Sequence, residues 1–483
     1  MNDKNTVNIV LNDNLHIRLD TTNYEYLNKV KKHFTEKVDG YLFTPSYRTG
    51  RWNGDKCLFN SNARKLPYGL LTDLLKFTKK EFPDLKIAVD QKVKDIFKGI
   101  EPNPTWNLKY YPRDYQEECV ITALKRSKGI FSVPTAGGKS CIIAYIVKEL
   151  LKKDIKNCII IVPTIGLVEQ FYNDLIDYGM YKELLGKVNS KKKEFDKTIV
   201  ISTWQSLKNR LDKLHIYDCV ICDETHSVKA DKLGTILKNC VNAKFRYGFT
   251  GTIPKCRLDE LLVKSYIGPV LKSYSSKDLA NEGYISHCNI NMLYVNYTNK
   301  IKGVYNDVKE LTFNNNYRIG LIKHLCDITD HTLLILVDKI KEGEILEQEL
   351  TICFEDREIV FLSGRDKTEI RESWRQLANE REDIIIIATY PIFQMGVNIP
   401  SLRSIIFASP SKSYIRIIQS IGRALRLHED KKDGAIIWDI VDNVKYLKKH
   451  AEIRHRHYVF EKHSINEFEL FESNNNYIME LIE

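Results

Sequence analysis

The chain has 483 residues, 43% of them hydrophobic and 28% charged, with a net charge of +10 and 11 cysteines. That length predicts roughly three soluble, globular domains; no apolar run is long enough to cross a membrane and the first residues lack a signal peptide's pattern, so a cytoplasmic location is expected. Cysteines scattered along so long a chain point to reduced thiols rather than a disulfide framework, and the positive charge favours a polyanionic partner such as nucleic acid.

Residues 1–100 mix basic residues with short alternating segments, such as Val7-Asn8-Ile9-Val10-Leu11 and His16-Ile17-Arg18-Leu19, and predict a small α+β module. Between Tyr41 and Gly54, aromatic residues interleave with Arg48 and Arg51 across turn residues. Two readings are open: a nucleic-acid surface in which arginines meet phosphates and rings meet bases, or a hairpin with core aromatics and solvated arginines. A Pro- and Asn-rich linker at 101–105 follows.

From there strand-like and helical stretches alternate, which implies a parallel sheet with helices on its faces over 101–270. Ile130 to Val133, Cys158 to Val162, Thr198 to Ser202, Cys219 to Cys222 and Tyr247 to Thr250 are its predicted strands. The one C-x-x-C, Cys219 to Cys222, lies in an apolar run and reads as a central strand rather than a zinc site. A second α/β series over 271–445 has strands at Leu333 to Val337, Ile359 to Leu362, Ile384 to Ala388, Ile405 to Ala408 and Ala435 to Trp438. The tail, 446–483, is basic and helical in pattern; its four histidines lack zinc-protease spacing and read as a solvated face.

Chemistry concentrates at three places. Pro134-Thr135-Ala136-Gly137-Gly138-Lys139-Ser140 stands between an apolar strand and a helix whose buried face is Ile142, Ile143, Ile146, Val147 and Leu150. Such a loop lets backbone amides approach phosphate oxygens, places Lys139 on the β/γ-phosphates and Ser140 on Mg²⁺. Val133 stands where the full pattern has its first glycine. At the end of the Cys219 to Cys222 run, Asp223 and Glu224 are adjacent acids; a bend there would let Asp223 hold Mg²⁺ through water while Glu224 takes a proton from the attacking water. Further on, Arg416, Gln419, Arg423 and Arg426 fall on one helical face, suited either to nucleic acid or to a γ-phosphate.

In order along the chain are YPRDYQ (111–116), PTAGGKS (134–140), VPTIGLVEQ (162–170), ISTWQSL (201–207), DETH (223–226), FTGTIP (249–254), ATYPIFQMGVNIP (388–400) and QSIGRALR (419–426). On these motifs the chain resembles superfamily-2 helicases from about Tyr111 to Asp442. The resemblance implies two tandem RecA-like parallel-sheet lobes behind the small N-terminal α+β module, here a DNA-binding one, with ATP and Mg²⁺ as cofactors. It implies that Gln116 reads adenine beside Arg113, that Gly396 lines the ATP cleft, that Gln419 senses the γ-phosphate, and that Arg423 and Arg426 are arginine fingers. Thr250 and Thr252 would couple the sites, and Thr164, Thr203, Gln205 and Thr389 would contact one strand's backbone.

Within the superfamily the chain looks like the bacteriophage UvsW helicase group, with a RecG/XPB-like motor, on the stretches from Asp39 to Gly54, Leu66 to Leu70 and Phe361 to Gly364. That implies an ATP-dependent DNA helicase that remodels branched or forked DNA by branch migration, fork regression and strand annealing. The expectation is a monomer in the host cytoplasm that works with phage recombination or replication proteins. The competing readings are an RNA helicase or R-loop unwinding enzyme, and a double-stranded DNA translocase or annealing factor that separates no strands.

Overall fold

The computed structural model describes residues 5–190, 192–225, 230–251, 253–254, 256–381, 383–394, 399, 402–409, 421, 434–474, 476–477 and 479–481. Two compact units emerge, one taking in Met1–Val133 and Gly138–Ser273, the other Pro134–Gly137 and Tyr274–Glu483.

The first unit opens with the strands β1 (Thr6–Leu11), β2 (His16–Asp20), β3 (Thr35–Lys37), β4 (Asp55–Cys57), β5 (Lys65–Pro67) and β6 (Lys86–Val89). Four of them form a mixed sheet in the order β5-β2-β1-β6, while β3 and β4 make a separate hairpin. Alternation decides the buried face: Val7, Ile9, Ile17 and Leu19 point into the core and Asn8 and Arg18 into solvent. The helices Tyr24–His33 and Leu71–Glu81 close that face, with the Tyr26 and Thr78 hydroxyls sharing a buried hydrogen bond at 2.8 Å.

This module is packed on the lobe that follows it. Leu261, from the helix Arg257–Ile267, belongs to the module's own hydrophobic core. Gly69 lies so close to that helix that a Cβ would overlap the Lys264 carbonyl. Ion pairs from Lys264 to Asp73 (3.1 Å) and from Arg257 to Glu36 (3.1 Å) flank the contact.

The lobe has a parallel sheet of β7 (Lys128–Ser132), β8 (Cys158–Val162), β9 (Leu185–Val188), β10 (Ile199–Thr203), β11 (Cys219–Cys222), β12 (Phe245–Thr250) and β13 (Val270–Ser273). Their order is β13-β7-β12-β11-β8-β10-β9. Sheets covered by helices on both faces select near-continuous apolar strands, and Cys219 and Cys222 are fully buried within β11. Arg246, on β12 and 1% exposed, turns its guanidinium onto the carbonyls of Leu237, Cys240 and Ala243, at and beyond the end of the helix Ala230–Asn239. A cation there satisfies terminal carbonyls and opposes the helix dipole.

The second unit carries β14 (Cys288–Asn296), β15 (Leu333–Val337), β16 (Ile359–Leu362), β17 (Ile385–Thr389), β18 (Ser404–Phe407), β19 (Ala435–Asp442), β20 (Ser464–Phe471) and β21 (Glu480–Leu481). They form one sheet in the order β16-β17-β15-β18-β19-β14-β20-β21, parallel except for the antiparallel β20–β21 pair. The expectation of a helical tail over 446–483 is corrected here. Among the described residues the α-helix Lys445–Phe460 fits it, but β20 then pairs with β14 from Asn289 opposite Ser464 to Asn296 opposite Phe471. Backbone groups along β14 would otherwise be left unpaired beside a hydrophobic core, which is why the chain returns to cover them. Among the described residues no helix is long and apolar enough to cross a membrane.

Candidate active site

After β7 the backbone turns through two left-handed positions, Ala136 at φ +67° and Gly138 at φ +71°, and the Gly137 amide donates to the Pro134 carbonyl at 3.0 Å. The helix Lys139–Leu151 starts at once, anchored by Ile142, Ile143, Ile146, Val147 and Leu150, all fully buried. Its first-turn amides and its dipole favour an anion at this end. Gly138 leaves the space in which Gln116 lies, since a Cβ there would overlap the Gln116 side-chain amide. Gln116 also fixes its own helix, Asp114–Lys125: its Oε1 accepts from the Arg113 amide at 3.0 Å and its Nε2 donates to the Tyr115 hydroxyl at 3.3 Å.

The acids meet the lysine. Lys139 Nζ stands 3.0 Å from Glu224 Oε1, with both side chains about nine-tenths buried. The bend expected after β11 is present as a left-handed Glu224 at φ +49°, an unfavourable conformation for a side-chain-bearing residue. Burial, reinforced by the Glu224 charge and opposed by Lys139, pushes the Asp223 carboxyl up to about 7. Asp223 Oδ1 is buried and has no hydrogen-bond partner among the described residues. An orphaned, buried carboxylate oxygen is a hard donor that fits Mg²⁺, and the Ser140 hydroxyl at the start of the helix Lys139–Leu151 is a further oxygen of that kind. Thr250 ends β12 fully buried, and its carbonyl accepts from the Val133 amide at 2.9 Å, which joins the end of β12 to the base of the loop.

Three family matches divide the chain. Residues 6–90 match the family described as DNA helicase UvsW, N-terminal, residues 109–255 match Type III restriction enzyme, res subunit, and residues 318–428 match Helicase conserved C-terminal domain. The two motor-domain matches indicate a superfamily-2 helicase. It is 25% identical to the ATP-dependent DNA helicase uvsW of Enterobacteria phage T4, over 99% of either chain. It is 24% identical to the DNA 3'-5' translocase XPB2 of Sulfurisphaera tokodaii, over 83% of this chain and 95% of that one. Among solved structures, a fragment of a putative HsdR subunit of a type I restriction enzyme from Vibrio vulnificus shares the fold at a TM-score of 0.59 and 16% identity, covering 89% of this chain and 78% of that one.

Two further clusters stand apart from the loop. β8 and β10 are neighbours, with Val162 opposite Thr203. Thr164 and Thr203 therefore emerge side by side at the C-terminal edge of the sheet, each capping the helix it begins. The exposed Gln205 donates to the Pro163 carbonyl at 3.2 Å and joins the pair. Thr389 ends β17 in the second unit and is buried. In the N-terminal module the stretch with Arg48 and Arg51 is the connection of the β3–β4 hairpin, a 3₁₀ turn at Tyr41–Phe43 and a short helix at Pro45–Arg48. Of its apolar residues Leu42 and Phe43 are 51% and 74% exposed while Tyr41, Tyr47 and Trp52 are half-buried, and both arginines are exposed with no ion pair among the described residues. Gln419, Arg423, Arg426, Arg416, Gly396 and Thr252 lie outside the described residues. Tyr178, whose hydroxyl reaches Ser140, joins the site although nothing in its local sequence marks it.

Proposed function

We propose that this chain is an ATP-dependent DNA helicase or translocase that remodels branched DNA, by branch migration, fork regression and annealing, as a monomer in the host cytoplasm during phage recombination and replication. The observation that carries the enzymatic part is the meeting of Lys139 with the Asp223–Glu224 pair beside the glycine-rich loop that opens a helix. Lys139 turns from Glu224 to the β/γ-phosphates, which releases Glu224 to take the proton of the attacking water. Ser140 and Asp223 would hold Mg²⁺, which when bound supplies neutralisation of phosphate charge. Gln116 orients the adenine beside the loop, and Gln419, Arg423 and Arg426 serve the γ-phosphate. The likeness to a phage DNA helicase over nearly the whole chain supports DNA as the polymer.

A double-stranded DNA translocase is the second reading, favoured by the match of 109–255 to a restriction-enzyme subunit family and by the likeness to a named translocase. One panel separates them: ATP hydrolysis without polymer and with single-stranded DNA, duplex, a four-way junction and single-stranded RNA. Strongest stimulation by the junction is the expected result. Equal stimulation by plain duplex without strand displacement selects the translocase, and strongest stimulation by RNA overturns both.

The exposed arginines give a second expectation. Arg48→Ala and Arg51→Ala should leave the melting temperature unchanged while weakening junction binding at low salt. Each should lower the slope of log affinity against log salt by about 1, as expected for one phosphate contact. A fall in melting temperature with an unchanged salt slope would instead make them structural.

A further inference from the structure

Ser140 is the second residue of its helix, and its hydroxyl lies 2.7 Å from the hydroxyl of Tyr178. Tyr178 caps the far end of the helix Ile165–Asp177, its amide donating to the Asp174 carbonyl at 2.9 Å. Its carbonyl accepts from the Lys109 amide at 3.0 Å, and its ring meets Tyr110 edge-on with centroids 5.8 Å apart. That strap is itself fastened: the Tyr145 hydroxyl donates to the Tyr110 carbonyl at 2.9 Å, and Lys109 pairs with Asp177. The phenol is thus aimed at Ser140 from a backbone held at several points.

A serine hydroxyl has one proton, two lone pairs and three staggered rotamers. When the Ser140 proton is given to Tyr178, one rotamer is selected and both lone pairs stay available to a cation. At its other end the helix begins at Thr164, whose side chain accepts from the Leu167 amide at 3.3 Å and which stands beside Thr203 at the sheet edge. A single 13-residue helix therefore runs from Thr164, the candidate strand contact, to Tyr178, whose hydroxyl meets the serine of the phosphate loop.

We propose that Tyr178 is a positioning residue for Ser140, and that the helix Ile165–Asp177 links strand binding at Thr164 to the metal-bound nucleotide. The inference rests on the reading of Ser140 as a Mg²⁺ ligand. Tyr178→Phe keeps the ring and removes the hydroxyl. Mg²⁺ is titrated against binding of a fluorescent ATP analogue to the full chain, with and without single-stranded DNA, and affinity rather than turnover is read. The variant should need about three- to tenfold more Mg²⁺ for half-maximal tight binding, the loss of one hydrogen bond, with Mg²⁺-free binding and melting unchanged. DNA should shift the Mg²⁺ requirement of the parent chain and not that of the variant.

A titration identical to the parent's overturns the positioning role, and an equal DNA shift in both overturns the link through the helix. Ser140→Ala separates this failure from that of the underlying reading. If Ser140→Ala raises the Mg²⁺ requirement and Tyr178→Phe does not, Tyr178 alone is misassigned; if neither raises it, the metal site is.

Discussion

Glu224→Gln is expected to lower kcat for ATP by about 10²- to 10⁴-fold, the range for losing a positioned general base, while nucleotide binding survives. Binding should survive because the substitution relieves two constraints. Lys139 is paired to Glu224 at 3.0 Å, and the neutral amide releases it for phosphate. The Glu224 charge is also one of the causes that keep the Asp223 carboxyl raised, so removing it makes Asp223 easier to ionise for a cation. Gln has nearly the same shape as Glu, so the left-handed backbone at residue 224 is asked to accept nothing new. Steady-state ATP hydrolysis and equilibrium binding of a fluorescent nucleotide test the two halves separately. Retained turnover would remove Glu224 from the role of base, whereas lost binding would recast the Lys139–Glu224 pair as structural support for the loop.

The parts of this molecule that sequence made legible share a physical cause. β8, β11, β15 and β17 are buried on both faces, so they appear as apolar runs whose ends mark the strands to within a residue or so. β14 and β20 alternate instead: Asn291 and Asn466 bond across the pair at 3.0 Å, and the Tyr294 hydroxyl donates to Glu467 at 2.6 Å on a wetter face. Their polar residues masked them as strands. β9 was hidden by Lys187, whose ammonium is kept by Glu169 at 2.6 Å and by the Tyr172 ring at 4.1 Å.

The site divides in the same way. Gly138, Lys139, Asp223 and Glu224 are legible because phosphate chemistry needs those residue types at those places in a strand–loop–helix. Tyr178 is not, because its contact with Ser140 depends on how one helix crosses another. The exposure of Phe43 likewise could not be told from an alternating pattern that suits a core equally well.

Asp439→Ala is expected to destabilise the second unit by about 3–5 kcal/mol, the cost of stripping the partner from a buried charge. Asp439 lies on β19, fully buried, and receives Arg454 through two guanidinium nitrogens at 2.8 Å each and the Tyr458 hydroxyl at 2.8 Å. Arg454 and Tyr458 sit on the helix Lys445–Phe460 and are as buried as their acceptor. Neither can reach water once Asp439 is gone, so the helix must either leave the sheet or keep in it a buried cation stripped of its carboxylate. Urea unfolding followed through the fluorescence of Trp438, next to Asp439 on β19, should show the midpoint falling. Pairing Asp439→Leu with Arg454→Met should recover much of the loss, since an apolar pair of similar volume pays no desolvation. An unchanged midpoint for Asp439→Ala would mean that solvent reaches Arg454 and that the helix is only loosely held. Because β20 follows that helix into the sheet beside β14, cutting the chain near 446 should produce the same unfolding. Loss of activity on such truncation then reports a broken lobe, and a partner-binding role for the tail has to be tested by exposed-residue substitutions that leave the Asp439–Arg454 pair and the β14–β20 ladder in place.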